Sequence, residues 1–226
     1  MTPRRIEAAI VDLDGTLGDF EVALNLTLTE LALPPVDRAF IADTVGKGSE
    51  HLLRCTLARV GGAATLYDAA WAHYQRHCRD INGAHAPVYP GAQAGLERLR
   101  GAGLALACVT NKPREFAVAL LERRGLAGYF AHVLGGDSFE RRKPDPLPLL
   151  RAAAALGSVP ANTLVIGDSA NDAIAARAAG CPVVLVSYGY NHGEPVAGIG
   201  ADAIIDRIDA IDLDRFSAAP HAKNAA

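Results

Sequence analysis

Four short apolar runs, three of which break off into a polar loop, constrain this chain more than any other feature. Ala8-Ala9-Ile10-Val11 ends in Asp12-Leu13-Asp14-Gly15-Thr16, and Leu104 to Val109 ends in Thr110-Asn111-Lys112-Pro113. Thr163 to Ile166 ends in Gly167-Asp168-Ser169, and Val183 to Val186 is a fourth run. An unbroken apolar run of this length reads as a strand buried on both faces. Helical stretches follow at about Pro113 to Arg124 and Ala170 to Ala179. Strand, loop and helix in alternation predict an α/β fold built on a doubly wound parallel sheet. Ligands bind such sheets beyond the carboxyl ends of the strands, the edge that the three polar loops occupy.

The stretch from Gly18 to about Pro87 has no strong strand signal and carries helical patterns near Glu21–Leu31, Glu50–Val60 and Leu66–Arg79. It reads as a helical cap inserted after the first strand, residues 18–87, with 1–17 and 88–226 forming the core. Gly18 and the Ala86-Pro87 region are the expected hinges. At roughly 150 residues per domain, 226 residues allow between one and two. A 50% hydrophobic content supplies a sizeable core and excludes a disordered chain. The net charge of −3 argues against a nucleic-acid binder. No apolar run approaches the roughly 18 residues of a membrane span. Glu7 and Asp12 interrupt any apolar region of a signal peptide, so a cytoplasmic protein is expected, a monomer or homodimer. Cys55, Cys78, Cys108 and Cys181 form no Cys-x-x-Cys pair and read as small buried hydrophobes in a reducing compartment. The tail from Ser217 to Ala226 reads as frayed.

The chemistry-bearing residues gather at the strand ends. Asp12 and Asp14 are two apart, so both carboxylates can face one pocket, and Gly15 permits a sharp exit. Two close carboxylates repel unless a cation or a shared proton compensates. Asp168 and Asp172 add further acids, and hard oxygen ligands of this kind suit Mg²⁺. Thr110 and Asn111 offer a hydroxyl and a backbone N–H to phosphoryl oxygens, and Lys143 beside Pro144 a fixed positive charge. Of 22 basic residues only Lys47, Lys112, Lys143 and Lys223 are lysines, and the first three lie in Gly- or Pro-punctuated loops. A position that keeps Lys in an Arg-rich chain hints at a need for a compact ammonium.

Asp12-Leu13-Asp14-Gly15-Thr16, Thr110-Asn111, Lys143-Pro144 and Gly167-Asp168-Ser169-Ala170-Asn171-Asp172 resemble the four ordered motifs of the haloacid dehalogenase-like hydrolase superfamily, over about Ile6 to Ile211. Val109 to Pro113, Lys143-Pro144-Asp145-Pro146 and Ser187-Tyr188-Gly189-Tyr190-Asn191 resemble the bacterial phosphoglycolate phosphatases within it. The resemblance implies a Rossmann-like core, the helical cap and a Mg²⁺-dependent phosphatase that takes 2-phosphoglycolate to glycolate and phosphate. It makes Asp12 the nucleophile that forms an aspartyl-phosphate, and Asp14 the acid and then the base. Asp12, the Asp14 main-chain carbonyl and Asp168 would hold the metal, with Asp172 orienting Lys143 or a metal water. Thr110, Asn111 and Lys143 would hold the phosphoryl group. Where many relatives continue with Leu-Val-Asp-Ser, this chain has Leu17-Gly18-Asp19-Phe20, a change that bears on substrate preference.

Plainer readings stand beside these. Strand-end Asp residues are often turn formers, and Asp172 also suits a first-turn helix acid. In Gly46-Lys47-Gly48-Ser49-Glu50, Lys47, with Arg54 one turn on, either meets a substrate carboxylate or belongs to a solvated turn capped by Ser49. His73 and His77, spaced i and i+4, read as a helix face, since no third zinc ligand is nearby. Tyr188, Tyr190 and Asn191 read as packing and turn residues. The rival functions are a sugar-phosphate or nucleotide phosphatase, a phosphomutase and, in another class, a phospho-acceptor signalling module.

Overall fold

The computed structural model describes residues 5–18, 22–81, 87–191 and 193–217. Six strands, β1 (Ala8–Val11), β2 (Ala105–Val109), β3 (His132–Leu134), β4 (Thr163–Gly167), β5 (Val183–Val186) and β6 (Ala203–Ile205), form one sheet in the order β3-β2-β1-β4-β5-β6. Every pairing is parallel. The central runs are apolar throughout because both faces are covered. Alternation sends Ala9, Val11, Leu106, Cys108, Leu164 and Ile166 to one face. There they meet α5 (Ala92–Gly101) and α6 (Arg114–Arg123). Ile10, Ala107, Val109, Val165 and Leu185 turn to the other face, against α7 (Leu147–Ala155) and α8 (Ala170–Ala179). The strand order reverses between β1 and β4, which opens a crevice at their carboxyl ends.

The four expected strands and both expected helices are present. The two edge strands β3 and β6 are additions of three residues each, half-buried or exposed, too short to show as apolar runs. Helices α5 and α7 are also additional to the sequence reading.

The 18–87 stretch holds α1 (Val22–Glu30), α2 (Arg38–Thr44), α3 (Ser49–Arg59) and α4 (Tyr67–Ile81). Leu24, Leu28, Ile41, Leu53, Leu57 and Tyr74 pack into a cluster of their own, joined by Phe116 of α6. The short α2 gives little periodic signal and starts at Asp37, which accepts a bond from Phe40 N at 2.8 Å. Ser49 is not the cap of α3 that the sequence suggested. Gly48 takes that position at φ +94°, a conformation costly for any side chain, and the Ser49 hydroxyl bonds Tyr74 instead. His73 and His77 both pair with Glu30, as does Arg76, so they tie α4 to α1. The two chain crossings run side by side: Gly18 bridges Val88, and Tyr89 N donates to Leu17 O at 3.1 Å. Of the expected hinges, Gly18 and Pro87 lie at the ends of described segments. Asp19, Phe20, Glu21, Ala86 and the tail beyond Ser217 lie outside the described residues. Among the described residues, no helix is long and apolar enough to cross a membrane.

Candidate active site

Register sets the floor of the site. Val11 of β1 pairs with Ile166 of β4 and Cys108 of β2, so the residues just beyond these strands emerge together. Asp12 N donates to Ile166 O at 2.9 Å, which fixes the root of its side chain. The chain then turns at Gly15, where φ is +84°. A Cβ there would lie 1.9 Å from Asp168 Oδ2, so the turn tolerates only glycine.

Lys143 is the hub. Its side chain is 5% exposed, and Nζ donates to Asp12 Oδ1 at 2.6 Å, Asp172 Oδ1 at 2.7 Å and Val109 O at 2.8 Å. Asp172 Oδ2 accepts from Ser169 N at 3.2 Å and Ser169 Oγ at 2.8 Å, closing a capping box at the start of α8. Asp172 thus serves the start of α8 with one oxygen and meets Lys143 with the other. Asp168 Oδ2 accepts from Tyr190 N at 2.5 Å.

Charge in this buried space is unbalanced. Burial pushes the Asp12 carboxyl up to about 7, helped by Asp172 and Asp14, although Lys143 opposes the rise. Burial, with Asp12 and Asp172 nearby, drives Asp168 well above the carboxylate range. Asp172 resists the same burial because Lys143 and Ser169 hold its carboxyl below the ordinary value. Burial also disfavours the Lys143 ammonium, yet Asp12 and Asp172 more than restore it.

Asp12, Asp168 and Asp172 each bring a carboxylate oxygen within 4.8 Å of the others. Lys143 bonds only two of these three acids, so the set holds negative charge in excess of its ammonium. A hard, all-oxygen donor set with that excess fits a divalent cation. The side chain of Asp14, expected as acid and base and not as a metal ligand, lies apart from this set: Oδ2 is 3.2 Å from Lys112 Nζ, and the buried Oδ1 has no hydrogen-bond partner among the described residues.

The cavity above these groups has about 40 Å³ of space. Asp12, Asp14, Thr110, Asn111, Lys143, Asp168 and Asp172 all line it, with Tyr74 and Ser49 contributed by the cap helices. A model of the haloacid dehalogenase-like hydrolases matches residues 6–180. The chain belongs to that family. It is 42% identical over 210 residues to a phosphoglycolate phosphatase of Thiobacillus denitrificans, covering 90% of this chain and 92% of the relative. It is 43% identical over 210 residues to a plasmid-borne phosphoglycolate phosphatase of Cupriavidus necator, covering 90% of each. A crystal structure from Haemophilus somnus 129PT, described as a predicted phosphoglycolate phosphatase, superposes with a TM-score of 0.84 at 30% identity and covers 90% of this chain and 95% of its own.

Two sequence candidates of this hydrolase stand outside the cavity lining. Lys47 is exposed, although Gly46 and Gly48 on either side line the space. Arg54 is exposed too, bonded to Glu50 at 3.1 Å and lying over the Tyr67 ring at 4.0 Å. Asn111 lines the cavity, but its amide nitrogen donates to Gly46 O at 2.7 Å and Lys143 O at 2.8 Å. Any contact to a phosphoryl group thus falls to its main chain. Asn171 also reaches Gly46 O, at 3.2 Å, so two core amides hold one carbonyl of the cap loop.

Lys112 is the site residue that the sequence reading left without a role; its signal was the retention of Lys in an Arg-rich chain. Tyr190 supplies a main-chain donor to Asp168 and also lines the cavity. Asn191 Oδ1 accepts from Ala170 N at 3.0 Å at the head of α8, and Tyr188 bonds Thr16 O at 2.9 Å, the packing and turn roles expected. Cys78, Cys108 and Cys181 are buried, and all four cysteines are free.

The raised carboxyls predict a pH dependence. Between about 4 and 7 the folded chain keeps a proton on Asp12 that the unfolded chain releases, and the rise at Asp168 acts in the same direction. Stability in chelator therefore falls as pH rises through that window, by about 1 kcal/mol per pH unit where one such group titrates. Thermal melts from pH 5.5 to 7.5 read this directly. Asp12→Asn should flatten the slope, as should a saturating divalent cation; a slope indifferent to both changes contradicts the charge imbalance.

Proposed function

We propose that this hydrolase converts 2-phosphoglycolate and water to glycolate and inorganic phosphate. The observation that carries the reading is the buried Asp12–Lys143 contact of 2.6 Å, on the floor of a cavity also lined by Asp14, whose Oδ1 has no partner among the described residues. An Asp12 carboxylate oxygen attacks phosphorus as the P–O ester bond breaks, and the departing glycolate oxygen takes a proton from Asp14. A water molecule, its proton accepted by Asp14, then attacks the aspartyl-phosphate and returns the Asp12 carboxylate.

Lys143 and Thr110 face the phosphoryl oxygens together with the Asn111 main chain, and Asp172 positions the Lys143 ammonium. Mg²⁺, held by Asp12, Asp168 and the Asp14 main-chain carbonyl, would supply charge neutralisation at the phosphoryl group. The cap over residues 18–87 excludes bulk water while the acyl phosphate exists. Space of about 40 Å³ supports a small leaving group, since it holds only a few water molecules. The curated relatives at about 40% identity carry the phosphoglycolate name. Four free cysteines accord with a cytoplasmic setting.

The test is phosphate release from 2-phosphoglycolate with Mg²⁺, run beside sugar phosphates and nucleotides with Asp12→Asn as blank. A kcat/KM for 2-phosphoglycolate at least about 10-fold above the rest is expected. A sugar phosphate or nucleotide turned over more efficiently would overturn the substrate assignment.

A further inference from the structure

A glycolate leaving group carries a carboxylate into a cavity whose floor is already acidic, and something must compensate it. Building on the 2-phosphoglycolate reading, we propose that Lys112 is the residue that recognises the substrate's carboxylate. Among the described residues lining the cavity, the cations are Lys143 and Lys112. The three contacts of Lys143 commit it to Asp12, Asp172 and Val109 O. Neither Lys47 nor Arg54, the candidates that the sequence offered, lines the space.

Position singles out Lys112 as well. Its side chain is 7% exposed, and Nζ lies 3.2 Å from Asp14 Oδ2. In 2-phosphoglycolate one CH₂ separates the carboxylate from the ester oxygen, so the two lie within about 3–4 Å of each other. The ester oxygen takes its proton from Asp14, and the carboxylate therefore comes to rest beside the cation next to Asp14. An ammonium has three donors and can hold Asp14 and the incoming carboxylate at once.

The Lys112 backbone is anchored by its own N–H to Thr110 Oγ1 at 3.1 Å and by Gly136 N to its carbonyl at 2.9 Å. The ammonium also lies near enough to the buried Cys78 thiol of α4 to oppose the upward push of burial there, so Lys112 stands between the core floor and the cap. A substrate without a carboxylate gains nothing from this cation. A carboxylate substrate without the cation would place an unpaired charge among Asp12, Asp14 and Asp168.

The experiment compares 2-phosphoglycolate with ethyl phosphate, which replaces the carboxylate by a methyl group, in the wild type, Lys112→Met and Lys112→Arg. The wild type should prefer 2-phosphoglycolate. Lys112→Met should lose about 10- to 100-fold more kcat/KM on 2-phosphoglycolate than on ethyl phosphate, chiefly through KM. Lys112→Arg should keep most of the preference. A preference surviving in Lys112→Met, or equal losses on both substrates, overturns the assignment of Lys112 and leaves the phosphatase reading intact. A wild type without the preference removes the 2-phosphoglycolate reading itself, and the anchor with it. Folding of Lys112→Met is checked by circular dichroism, and Lys112→Gln takes its place if the Met variant is unfolded.

Discussion

Asp12→Asn leaves a folded protein whose phosphatase turnover falls by at least about 10⁴-fold. The amide keeps the shape of the carboxylate, and its oxygen can still accept from Lys143 Nζ, now 2.6 Å from Asp12 Oδ1. On the proposed mechanism what disappears is the nucleophile, so no acyl phosphate can form. The same substitution removes a buried charge that Asp172 and Asp14 both oppose. Melting temperature in chelator at neutral pH should therefore match or exceed that of the wild type, while titration calorimetry shows weaker cation binding. Turnover within 10-fold of the wild type would eliminate Asp12 as nucleophile. A large loss of stability would instead mean that the Asp12–Lys143 pair supports the fold more than the site.

Lys143→Met has the opposite signature, with activity and stability lost together. Methionine keeps the length of the side chain and deletes its charge. Asp12 and Asp172 are then left buried without their ammonium, and Val109 O without its donor. Removing one partner of a buried ion pair costs about 3–5 kcal/mol, which lowers the melting temperature by roughly 10 °C in a chain of this size. Loss of the phosphoryl clamp should cut kcat/KM by at least about 10³-fold. Adding Asp172→Asn to Lys143→Met should return part of the stability without returning activity, because it deletes one stranded charge. If Lys143→Met melts with the wild type, the hub role of Lys143 is wrong. If the double variant is no more stable than the single, the loss did not come from the stranded carboxylate.

The two substitutions separate roles that one hydrogen bond joins. Asp12 sits in the site at a cost to the fold, and Lys143 offsets that cost for Asp12 and Asp172 together.

How far the sequence could be read follows from the range of the forces involved. The four central strands were legible because burial on both faces demands unbroken apolar runs, and the edge strands β3 and β6, half-exposed, face no such demand. Helix α2, seven residues fixed by the Asp37 cap and by packing of Ile41, left too little periodicity to recognise. Asp12, Asp14, Thr110 and Asp168 were legible because each lies within a few residues of a strand's carboxyl end, and a parallel sheet brings all such ends to one edge. Asp172 was legible through its place in the first turn of α8.

Lys112 was not legible as a site residue. Its partner Asp14 is 98 residues earlier, and only the pairing of β1 with β2 brings the two loops together. Gly46 O was likewise invisible, since its two amide donors come from the loop after β2 and from α8. Lys47 and Arg54 show the converse. Local sequence put them near the cap loop, but the start of α3 at Gly48 and the contacts of Arg54 with Glu50 and Tyr67 decided where they sit. The sequence by itself determined the sheet, the insertion and the acids at the strand ends, because these depend on burial patterns and contacts within a few residues. Only the tertiary structure decided which cation sits beside Asp14, because that choice rests on loops meeting across the sheet edge, and no local pattern encodes the meeting.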